Sequence, residues 1–290
     1  MRNLDAMKIL IADSGSTKTA WRFLAEDGTQ LRFETEGFNP YHREEAELKT
    51  SMETALRNEM SGHVPDQIFF YGSGCGNPEK CGIIERSLRN VFPDAAAEVH
   101  SDMLGAARGL CGHQPGIAAI LGTGSNSCVY DGKNVVTNRP SLGYIMGDEG
   151  SGADIGKRLL RLYLYHEMDD GLLKNFESRF GSQHAEIIHS IYRKPFPNRY
   201  IASYARFVFQ NIQHRQCIEI VCESFNAFLE KHILHYPESN IYPIHFTGSI
   251  AFYFSNLLRR VLEEKGLRAG RITENPMAGL VNYHLGISEE

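Results

Sequence analysis

Hydrophobic and polar positions follow two patterns along the chain, and together these patterns predict an α/β protein. Short apolar runs, such as "KILIAD" at 8–13 and "QIFFYGSG" at 67–74, are typical of buried strands. In segments 43–60 and 78–92, apolar residues recur three and four positions apart, which is the spacing of one helix face. The N-terminal part is therefore predicted to form three strands, then helix, strand, helix, strand and helix.

The second part of the chain is predicted to repeat this order of elements. Turns of small residues occupy matching places, "ADSGST" at 12–17 and "LGTGSN" at 121–126, and each joins the first two strands of its half. The sequence therefore predicts two duplicated βββαβαβα units, an N-terminal domain at 1–104 and a C-terminal domain at 105–290. Helical patterning at about 151–235 indicates an insertion in the second domain, and the final helix could pack back on the first.

Amino-acid composition and charge limit which classes of protein and of binding partner are expected. The 290 residues are 42% hydrophobic and 22% charged, and 27 are glycine, which is typical of a turn-rich globular protein. A formal net charge of -5 gives no reason to expect nucleic acid or an anionic membrane as partner. No apolar run reaches the roughly 20 residues of a membrane-spanning helix, so the expected location is the cytoplasm. The six cysteines lack paired C-x-x-C spacing and are expected to be reduced thiols.

The turn after the first strand has two interpretations. Gly15, Ser16 and Thr17 leave backbone N–H groups and hydroxyls that could bind phosphate, and glycine lets an anion approach closely. A tight turn that needs glycine for its dihedral angles explains one such turn equally well. The matching second turn favours a two-sided clamp on a polyphosphate, with Asp13 holding Mg²⁺ through water and Lys18 offsetting charge. The P-loop and G-x-G-x-x-G patterns are both incomplete in this chain.

Several motifs in a fixed order carry a family resemblance. They are Asp-x-Gly-x-Thr at 13–17, "FNPY" at 38–41, "HSD" at 100–102, "LGTGSN" at 121–126, "GYIMGDEGS" at 143–151 and "FTGS" at 246–249. Over nearly its whole length the chain resembles the actin-like ATPases, which include actin, sugar kinases and heat-shock chaperones. More narrowly, it is similar to N-acetylglucosamine kinases, which are grouped with the BadF/BadG/BcrA/BcrD ATPases that activate benzoyl-CoA reductase.

The resemblance implies two actin-like (ribonuclease H-like) domains with ATP and sugar bound in the interdomain cleft. It implies ATP-dependent phosphorylation of an amino sugar, with N-acetylglucosamine and its 6-hydroxyl as the expected acceptor. Asp102 matches the family's catalytic aspartate, which accepts the hydroxyl proton. The expected sugar contacts are Asn39, Asn126, Leu142, Gly143 and Asp148. The expected ATP and phosphate contacts are Gly15, Ser16, Thr17, Lys18, Thr123, Gly124, Gly248 and Ser249.

Structural interpretations of the same residues stay open at this point. Asp102 ends a predicted strand and opens a helix, where aspartate often caps the helix N-terminus without any chemistry. Asp148 could likewise serve capping or the helix dipole, whereas the resemblance makes it a sugar ligand, with Glu149 structural. Asn39 and Asn126 could be ordinary turn asparagines. Trp21, the single tryptophan, is expected in the core.

One departure from the family and two other functions complete the predictions. The resemblance implies a tryptophan beside the sugar, before the glycine-aspartate motif, as in the mammalian enzyme. This chain reads Ser141-Leu142-Gly143-Tyr144 there, which makes glucosamine a rival acceptor. An activator ATPase would need a metal cluster held by cysteines, and Cys75 and Cys81 form the only local pair to consider. A sugar-responsive regulator would need a DNA-binding head, for which the sequence before the first turn leaves no room. The sequence leaves a homodimer open.

Overall fold

The computed structural model describes residues 7–15, 17–41, 43–182 and 184–287. The chain divides into two compact units. The first unit comprises Met1–Gln114, Gly132–Val135 and Pro276–Glu290, and the second comprises Pro115–Asp131 and Val136–Asn275. Each unit contains one five-stranded sheet, so the predicted α/β class with two sheets is confirmed.

The sheet of the first unit mixes antiparallel and parallel pairs. Its strands are β1 (Ile9–Ser14), β2 (Lys18–Leu24), β3 (Gln30–Glu36), β4 (Gln67–Gly72) and β5 (Ala96–Ser101), and their spatial order is β3-β2-β1-β4-β5. The first three form successive antiparallel hairpins, whereas β1, β4 and β5 run parallel. The helices of this unit are α1 (Glu45–Met60), α2 (Pro78–Val91), α3 (Asp102–Cys111) and α13 (Met277–Leu285).

Strand β1 is buried on both faces, which explains its nearly continuous apolar sequence. Leu10 and Ala12 face a core shared with α1 and α2, where Trp21 is also buried, as expected from its sequence. Ile9 and Ile11 face the opposite side, against α13. The first unit therefore has helices on both faces of its sheet.

Helices α3 and α13 approach each other closely. A Cβ added to Gly279 would lie 1.8 Å from the carbonyl oxygen of Gly109, so only glycine permits this crossing. The Tyr71 hydroxyl lies 2.8 Å from His284 Nε2 and accepts a hydrogen bond of 2.9 Å from Arg108 Nη1. These contacts hold α13 against β4 and the helix that begins at Asp102.

The second unit repeats the strand order of the first. Its strands are β6 (Gly116–Leu121), β7 (Ser125–Tyr130), β8 (Val135–Asn138), β9 (Ile244–Thr247) and β10 (Ala269–Thr273), and their spatial order is β10-β9-β6-β7-β8. Strands β6 and β7 form an antiparallel hairpin, whereas β6, β9 and β10 run parallel. The third, second, first, fourth and fifth strands of each unit are therefore neighbours in that order.

A large helical region separates β8 from β9 in the chain. Its helices are α4 (Gly143–Met146), α5 (Gly152–Leu164), α6 (Asp170–Phe180), α7 (His184–Arg193), α8 (Pro197–Ser203), α9 (Ala205–Gln210) and α10 (Arg215–Lys231). Two short 3-10 turns follow at Ile233–His235 and Pro237–Asn240, and α11 (Ser249–Tyr253) and α12 (Ser255–Glu264) lie after β9. Buried aromatic side chains such as Phe176, Phe207 and Phe225 join this region to the sheet in one core. Among the described residues, no helix is both long enough and apolar enough to cross a membrane.

Candidate active site

In the first unit, Asp13 and Asp102 lie at the same edge of the sheet. Asp13 is the penultimate residue of β1, and Asp102 directly follows β5. Both belong to the parallel part of the sheet, in which Asp13 pairs with Tyr71 and Tyr71 with His100. The carboxyl ends of parallel strands border the ligand crevice in open α/β sheets, so this edge is a candidate binding surface.

The two carboxylates at this edge have unusual acidities. Burial raises the pKa of Asp13 to about 7, to which the negative charge of Asp102 contributes while Lys18 opposes it. Burial also raises the pKa of Asp102 to about 6, although backbone N–H groups of Met103 and Asp102 stabilise its charged form. A pKa near 6 suits a general base, because the group is ionised at neutral pH yet still basic enough to accept a proton.

The N-terminus of α3 is capped by Ser101 and not by Asp102. The Ser101 hydroxyl accepts a hydrogen bond of 3.3 Å from the backbone N–H of Leu104, which is the N-cap interaction. Asp102 is the first residue of the helix itself. The capping interpretation of Asp102 is therefore wrong, because the preceding serine already has that function.

The turn between β1 and β2 is tight but not crowded. The Gly15 N–H donates to the carbonyl of Lys18 at 3.0 Å, and the Gly37 N–H donates to that of Thr17. A Cβ added to Gly15 would make only an ordinary contact of 3.6 Å with the Lys18 carbonyl oxygen. The fold itself thus has little need of glycine here. Ser16 lies outside the described residues, and the exposed Lys18 forms a surface ion pair of 2.7 Å with Glu34.

Asn39 lies in a turn of the first unit and is buried. Its Oδ1 accepts a hydrogen bond of 2.9 Å from the backbone N–H of Tyr41, and its Nδ2 donates to Ser73 Oγ at 3.3 Å. A Cβ added to Gly74 would lie 2.6 Å from Asn39 Oδ1, so this glycine makes room for the amide. The turn interpretation of Asn39 holds in the structure, and its role as a sugar contact stays a prediction.

In the second unit, the two predicted nucleotide-binding segments lie side by side. Gly248 has a φ of 108°, and a Cβ added to it would lie 2.4 Å from the carbonyl oxygen of Leu121 and 3.2 Å from the nitrogen of Gly122. The turn containing Thr123 and Gly124 therefore adjoins the turn at Gly248, after which Ser249 begins α11. Both turns follow parallel strands, as the candidate edge of the first unit also does.

The same turn also receives the N-terminus of α5. The backbone N–H of Gly152 donates to the Gly122 carbonyl at 2.8 Å, and that of Ala153 donates to the Thr123 carbonyl at 3.1 Å. These hydrogen bonds satisfy helix N–H groups that have no partner within the helix. They join the predicted phosphate turn to the segment that carries Asp148.

Asp148 is buried and has a strained backbone. Its φ of 60° is uncommon for a residue other than glycine, and its side chain is 9% exposed. Asp148 Oδ1 accepts a hydrogen bond of 3.3 Å from the Ser125 N–H, and a Cβ added to Gly124 would lie 2.9 Å from Oδ2. Burial raises the pKa of Asp148, while the Ser125 N–H and Lys157 oppose the shift. Strain of this kind is concentrated at functional sites.

Asp148 does not cap a helix. The N-cap of α5 is Ser151, whose hydroxyl accepts a hydrogen bond of 3.2 Å from the Asp154 N–H. The capping interpretation of Asp148 is therefore wrong for the same reason as that of Asp102, because a serine next to the helix has that function. Lys157 holds the preceding segment by donating to the carbonyls of Tyr144 and Gly147.

Ser125 is a candidate ligand contact that the motif reading missed. Its hydroxyl oxygen is buried and has no hydrogen-bond partner in the described part of the chain, and its backbone N–H donates to the Asp148 carboxylate. A buried hydroxyl without a partner costs free energy, so a polar ligand that completes its bonding would be favoured. The neighbouring Asn126 uses Oδ1 to accept hydrogen bonds from the Ser127 N–H and Asn138 Nδ2.

The remaining predicted sugar contacts lie on an exposed segment before Asp148. Leu142 is 58% exposed, and Gly143 has a φ of 71°, which a glycine adopts without strain. Ile145 and Met146 are also exposed, so α4 contributes little to the core. The structure gives Leu142 and Gly143 no polar side chain with which to bind a sugar hydroxyl.

The described cysteines are free thiols, as expected. Cys81 Sγ lies 3.0 Å from the carbonyl oxygen of Cys75 and donates to it. Burial raises the pKa of Cys75 to about 12 and also raises that of Cys81. Thiolates are the form that binds metal clusters, so both sites disfavour such a role. In the ranges given above, no group of three or more His, Cys, Asp or Glu side chains is arranged to hold a metal ion.

Comparison with known proteins identifies the family. A family profile described as the BadF/BadG/BcrA/BcrD ATPase family matches residues 12–281. This chain belongs to that ATPase family. The comparison with curated proteins finds no match.

Solved structures similar to this BadF/BadG/BcrA/BcrD family member share its fold. A "putative N-acetylglucosamine kinase" from Porphyromonas gingivalis is 41% identical, with a TM-score of 0.91 over 96% of this chain and 99% of that one. One of the same description from Chromobacterium violaceum is 18% identical, with a TM-score of 0.75 over 97% and 99%. A ROK family glucokinase from Streptomyces griseus, in complex with glucose and AMPPNP, is 13% identical, with a TM-score of 0.56 over 96% and 98%.

These findings confirm the predicted family and the actin-like fold. The family and the 41% identical relative also support the predicted enzyme class, an ATP-dependent sugar kinase.

Proposed function

We propose that this chain transfers the γ-phosphate of ATP to N-acetylglucosamine, at the 6-hydroxyl. The single observation that supports this most is Asp102, a half-buried carboxylate at the carboxyl edge of a parallel sheet with a pKa raised to about 6. The N-cap of α3 is Ser101, so the helix does not need Asp102 as its N-cap. The family and the 41% identical relative support the choice of a sugar hydroxyl as acceptor.

In the proposed reaction, Asp102 accepts the proton of the attacking hydroxyl. Phosphoryl transfer needs the acceptor oxygen in line with the γ-phosphate and the developing charge neutralised, so positioning is the main contribution of the protein. A carboxylate whose pKa has been raised is a stronger base than an ordinary one and remains ionised at neutral pH. As the hydroxyl proton passes to Asp102, the acceptor oxygen bonds to the γ-phosphorus, the bond from that phosphorus to the β,γ-bridging oxygen breaks, and ADP leaves with the electron pair.

The proposed sugar ligands are Asp148, Asn39 and Asn126, with Ser125 added from the structure. A buried carboxylate selects a ligand with neighbouring hydroxyl groups, because any other occupant leaves the charge without hydrogen bonds. The unpartnered Ser125 hydroxyl beside Asp148 supports a polar ligand at this place. Leu142 and Gly143 would give the sugar a less aromatic surface than tryptophan would, and glucosamine is therefore the rival acceptor.

For ATP, the proposal uses the glycine turns of both units. The proposed contacts are Gly15, Ser16, Thr17, Lys18, Thr123, Gly124, Gly248 and Ser249. Space for a Cβ at Gly15 supports this use, because a glycine that the fold does not need is explained by close approach of a ligand. Asp13 fits a site for Mg²⁺ held through water, since two neighbouring half-buried carboxylates favour a cation. A bound magnesium ion would neutralise charge on the phosphate oxygens.

The deciding experiment measures ADP release from magnesium-ATP by the purified chain. The acceptor panel contains N-acetylglucosamine, glucosamine, N-acetylmannosamine, glucose and N-acetylmuramic acid. We expect the highest kcat/KM with N-acetylglucosamine and a product phosphorylated at the 6-position, identified by NMR. A preference for glucosamine would correct the acceptor, whereas no stimulation by any sugar would overturn the kinase proposal.

The same sample tests the activator alternative. An activator ATPase of this family type would hydrolyse ATP without a sugar and would carry a cysteine-bound cluster. Iron and sulfide analysis of protein purified without oxygen is the measurement. We expect neither element, because Cys75 and Cys81 are held as protonated thiols by burial.

A further inference from the structure

Helix α10 presents one row of side chains to the segment 148–151, which holds Asp148. Ser224, Phe228 and the helix-ending His232 are four residues apart, and this spacing places them on one face of a helix. Ser224 Oγ accepts a hydrogen bond of 3.2 Å from the Gly150 N–H and donates one of 2.6 Å to Asp154 Oδ2. The segment is therefore bound to a helix more than 70 residues later in the sequence.

Phe228 fixes the backbone of the same segment by contact. Gly150 has a φ of 76°, and a Cβ added to it would lie 2.7 Å from the Cβ of Phe228. No larger residue fits at position 150 while the phenylalanine is in place. The ring of Phe228 stacks on that of His232, with centroids 4.9 Å apart and an angle of 20° between the planes.

His232 lies between two polar partners from different elements. Its Nε2 is 3.8 Å from Glu149 Oε2, and its Nδ1 is 3.4 Å from Ser127 Oγ. His232 is 5% exposed, and burial lowers the pKa of its imidazole despite the opposing effect of Glu149. A neutral imidazole has one N–H and one lone pair. The imidazole can therefore direct its N–H toward Glu149 and at the same time accept a hydrogen bond from the Ser127 hydroxyl.

Ser127 leads directly to a predicted sugar ligand. Its backbone N–H donates to Asn126 Oδ1 at 2.9 Å, and its hydroxyl is 2.9 Å from the hydroxyl of Tyr236. The Tyr236 hydroxyl in turn accepts from the Arg139 N–H at 3.0 Å. His232 thus has Glu149, the neighbour of Asp148, on one side and Ser127, the neighbour of Asn126, on the other.

We propose that His232 is a positioning residue for sugar binding, because its imidazole joins the segment that holds Asp148 to the strand that holds Asn126. This inference rests on the proposed function for the identity of the ligand. The positioning itself rests only on contacts within the second unit. Replacing His232 removes one of the contacts that hold Asp148 in its strained conformation, and the carboxylate then spends less time in the arrangement that accepts sugar hydroxyls.

The first measurement needs no substrate. Amide hydrogen exchange is followed in wild type, His232→Ala and His232→Gln, with His235→Ala as the matched control, because His235 is an exposed histidine three residues away. We expect the amides of residues 148–151 to exchange about tenfold faster in His232→Ala, with unchanged protection in α5. His232→Gln, which keeps an N–H near Glu149, is expected to lie between wild type and alanine. Unchanged exchange at 148–151 in His232→Ala would overturn the positioning role.

The second measurement uses the sugar with the highest kcat/KM for wild type. We expect His232→Ala to raise the KM for that sugar about tenfold, while kcat and the KM for ATP stay within about twofold, because only ground-state sugar binding is weakened. Glu149→Ala is expected to raise the sugar KM, and the double variant is expected to show less than the product of the two effects. Independent effects, or an unchanged sugar KM, would overturn the link to sugar binding.

The two experiments separate this inference from the proposed function. Wild type that turns over no sugar would overturn the proposed function and the sugar-binding role together. Hydrogen exchange would then still decide whether His232 positions Asp148. Normal wild-type turnover with an unaffected variant would overturn the inference alone.

Discussion

The two units share one strand order, but their glycine turns differ in the space that the structure leaves for a Cβ at the glycine. In the first unit, the nearest described atom to a Cβ on Gly15, its chain neighbours aside, would be the Lys18 carbonyl oxygen at 3.6 Å. In the second unit, a Cβ on Gly124 would collide with the Asp148 carboxylate, and one on Gly248 with the backbone of Leu121. Similar sequence motifs therefore have different physical requirements. Internal packing requires glycine in the second unit, whereas in the first unit it leaves room for a Cβ at Gly15.

The two carboxylates proposed to handle the sugar differ in a related way. Asp102 is stabilised in its charged form by N–H groups at the start of its own helix, and burial still raises its pKa to about 6. The charged form of Asp148 is stabilised by the Ser125 N–H and by Lys157 of α5, although burial raises its pKa. The first arrangement suits a group that changes its protonation state. The proposal gives Asp148 a different role, the binding of sugar hydroxyl groups.

The largest expected effect tests that division of roles. Asp102→Asn should lower kcat by about 100-fold or more, because it removes the general base. The KM for ATP should stay within about twofold. Steady-state kinetics with the preferred sugar are the measurement, and the exposed Asp94→Asn is the matched control in the same unit. Near-normal turnover of Asp102→Asn would remove the base from the mechanism.

A pair of glycine variants tests the comparison between the turns. Gly124→Ala should lower the free energy of unfolding by about 1–3 kcal/mol, because the new methyl group overlaps the Asp148 carboxylate. Gly15→Ala should leave thermal stability nearly unchanged and raise the KM for ATP about tenfold, equivalent to about 1.4 kcal/mol. Thermal denaturation and kinetics of both variants are the measurements. Equal losses of stability in the two variants would show that Gly15 and Gly124 are equally constrained by packing.

The last prediction concerns the pH dependence of stability and the first unit alone. The folded state raises the pKa of Asp13 from 3.8 to about 7, so it prefers the protonated carboxyl group. The stability that this preference contributes is present at low pH and is lost as pH rises through about 7. Asp13→Asn, which is neutral at every pH, should therefore raise Tm at pH 8 and leave it nearly unchanged at pH 4.

The expected gain for Asp13→Asn is roughly 2–4 °C for each kcal/mol recovered. Calorimetry with EDTA present excludes a contribution from divalent cations, and Asp94→Asn again serves as the control. A variant that is no more stable than wild type at pH 8 would show that Asp13 is not destabilised by its ionisation.

Local patterns allowed much of the fold to be predicted from the sequence. Strand β1 is apolar because both of its faces are buried, and α1 shows its buried face as Leu48, Met52, Leu56 and Met60. The matching turns indicated a duplication, and the common strand order agrees with it. One boundary was misread, since the predicted strand through Asp102 ends at Ser101. The serine before Asp102 was the available signal, because serine is as good an N-cap as aspartate.

The site was only partly predictable, because its geometry depends on contacts between distant residues. The motifs named Asp148, but nothing local shows that Gly124 leaves space for its carboxylate or that Ser125 lies beside it. The spacing of Ser224, Phe228 and His232 is visible in the sequence as a helix face. The partner of that face is a segment more than 70 residues earlier, and periodicity carries no information about partners. The catalytic and binding roles themselves stay predictions.

Because Asp148 has a left-handed backbone conformation, thermal stability and the proposed activity favour different residues at this position. Glycine adopts this conformation without strain, so it would relieve the backbone. Asparagine tolerates the conformation better than most residues and would remove the buried charge. Selection for thermal stability alone would favour these residues at position 148. Each would also remove the carboxylate proposed to bind the sugar. A library ranked by Tm alone would therefore select variants at position 148 that lack the proposed sugar-binding carboxylate. Position 148 should be held constant in any such library.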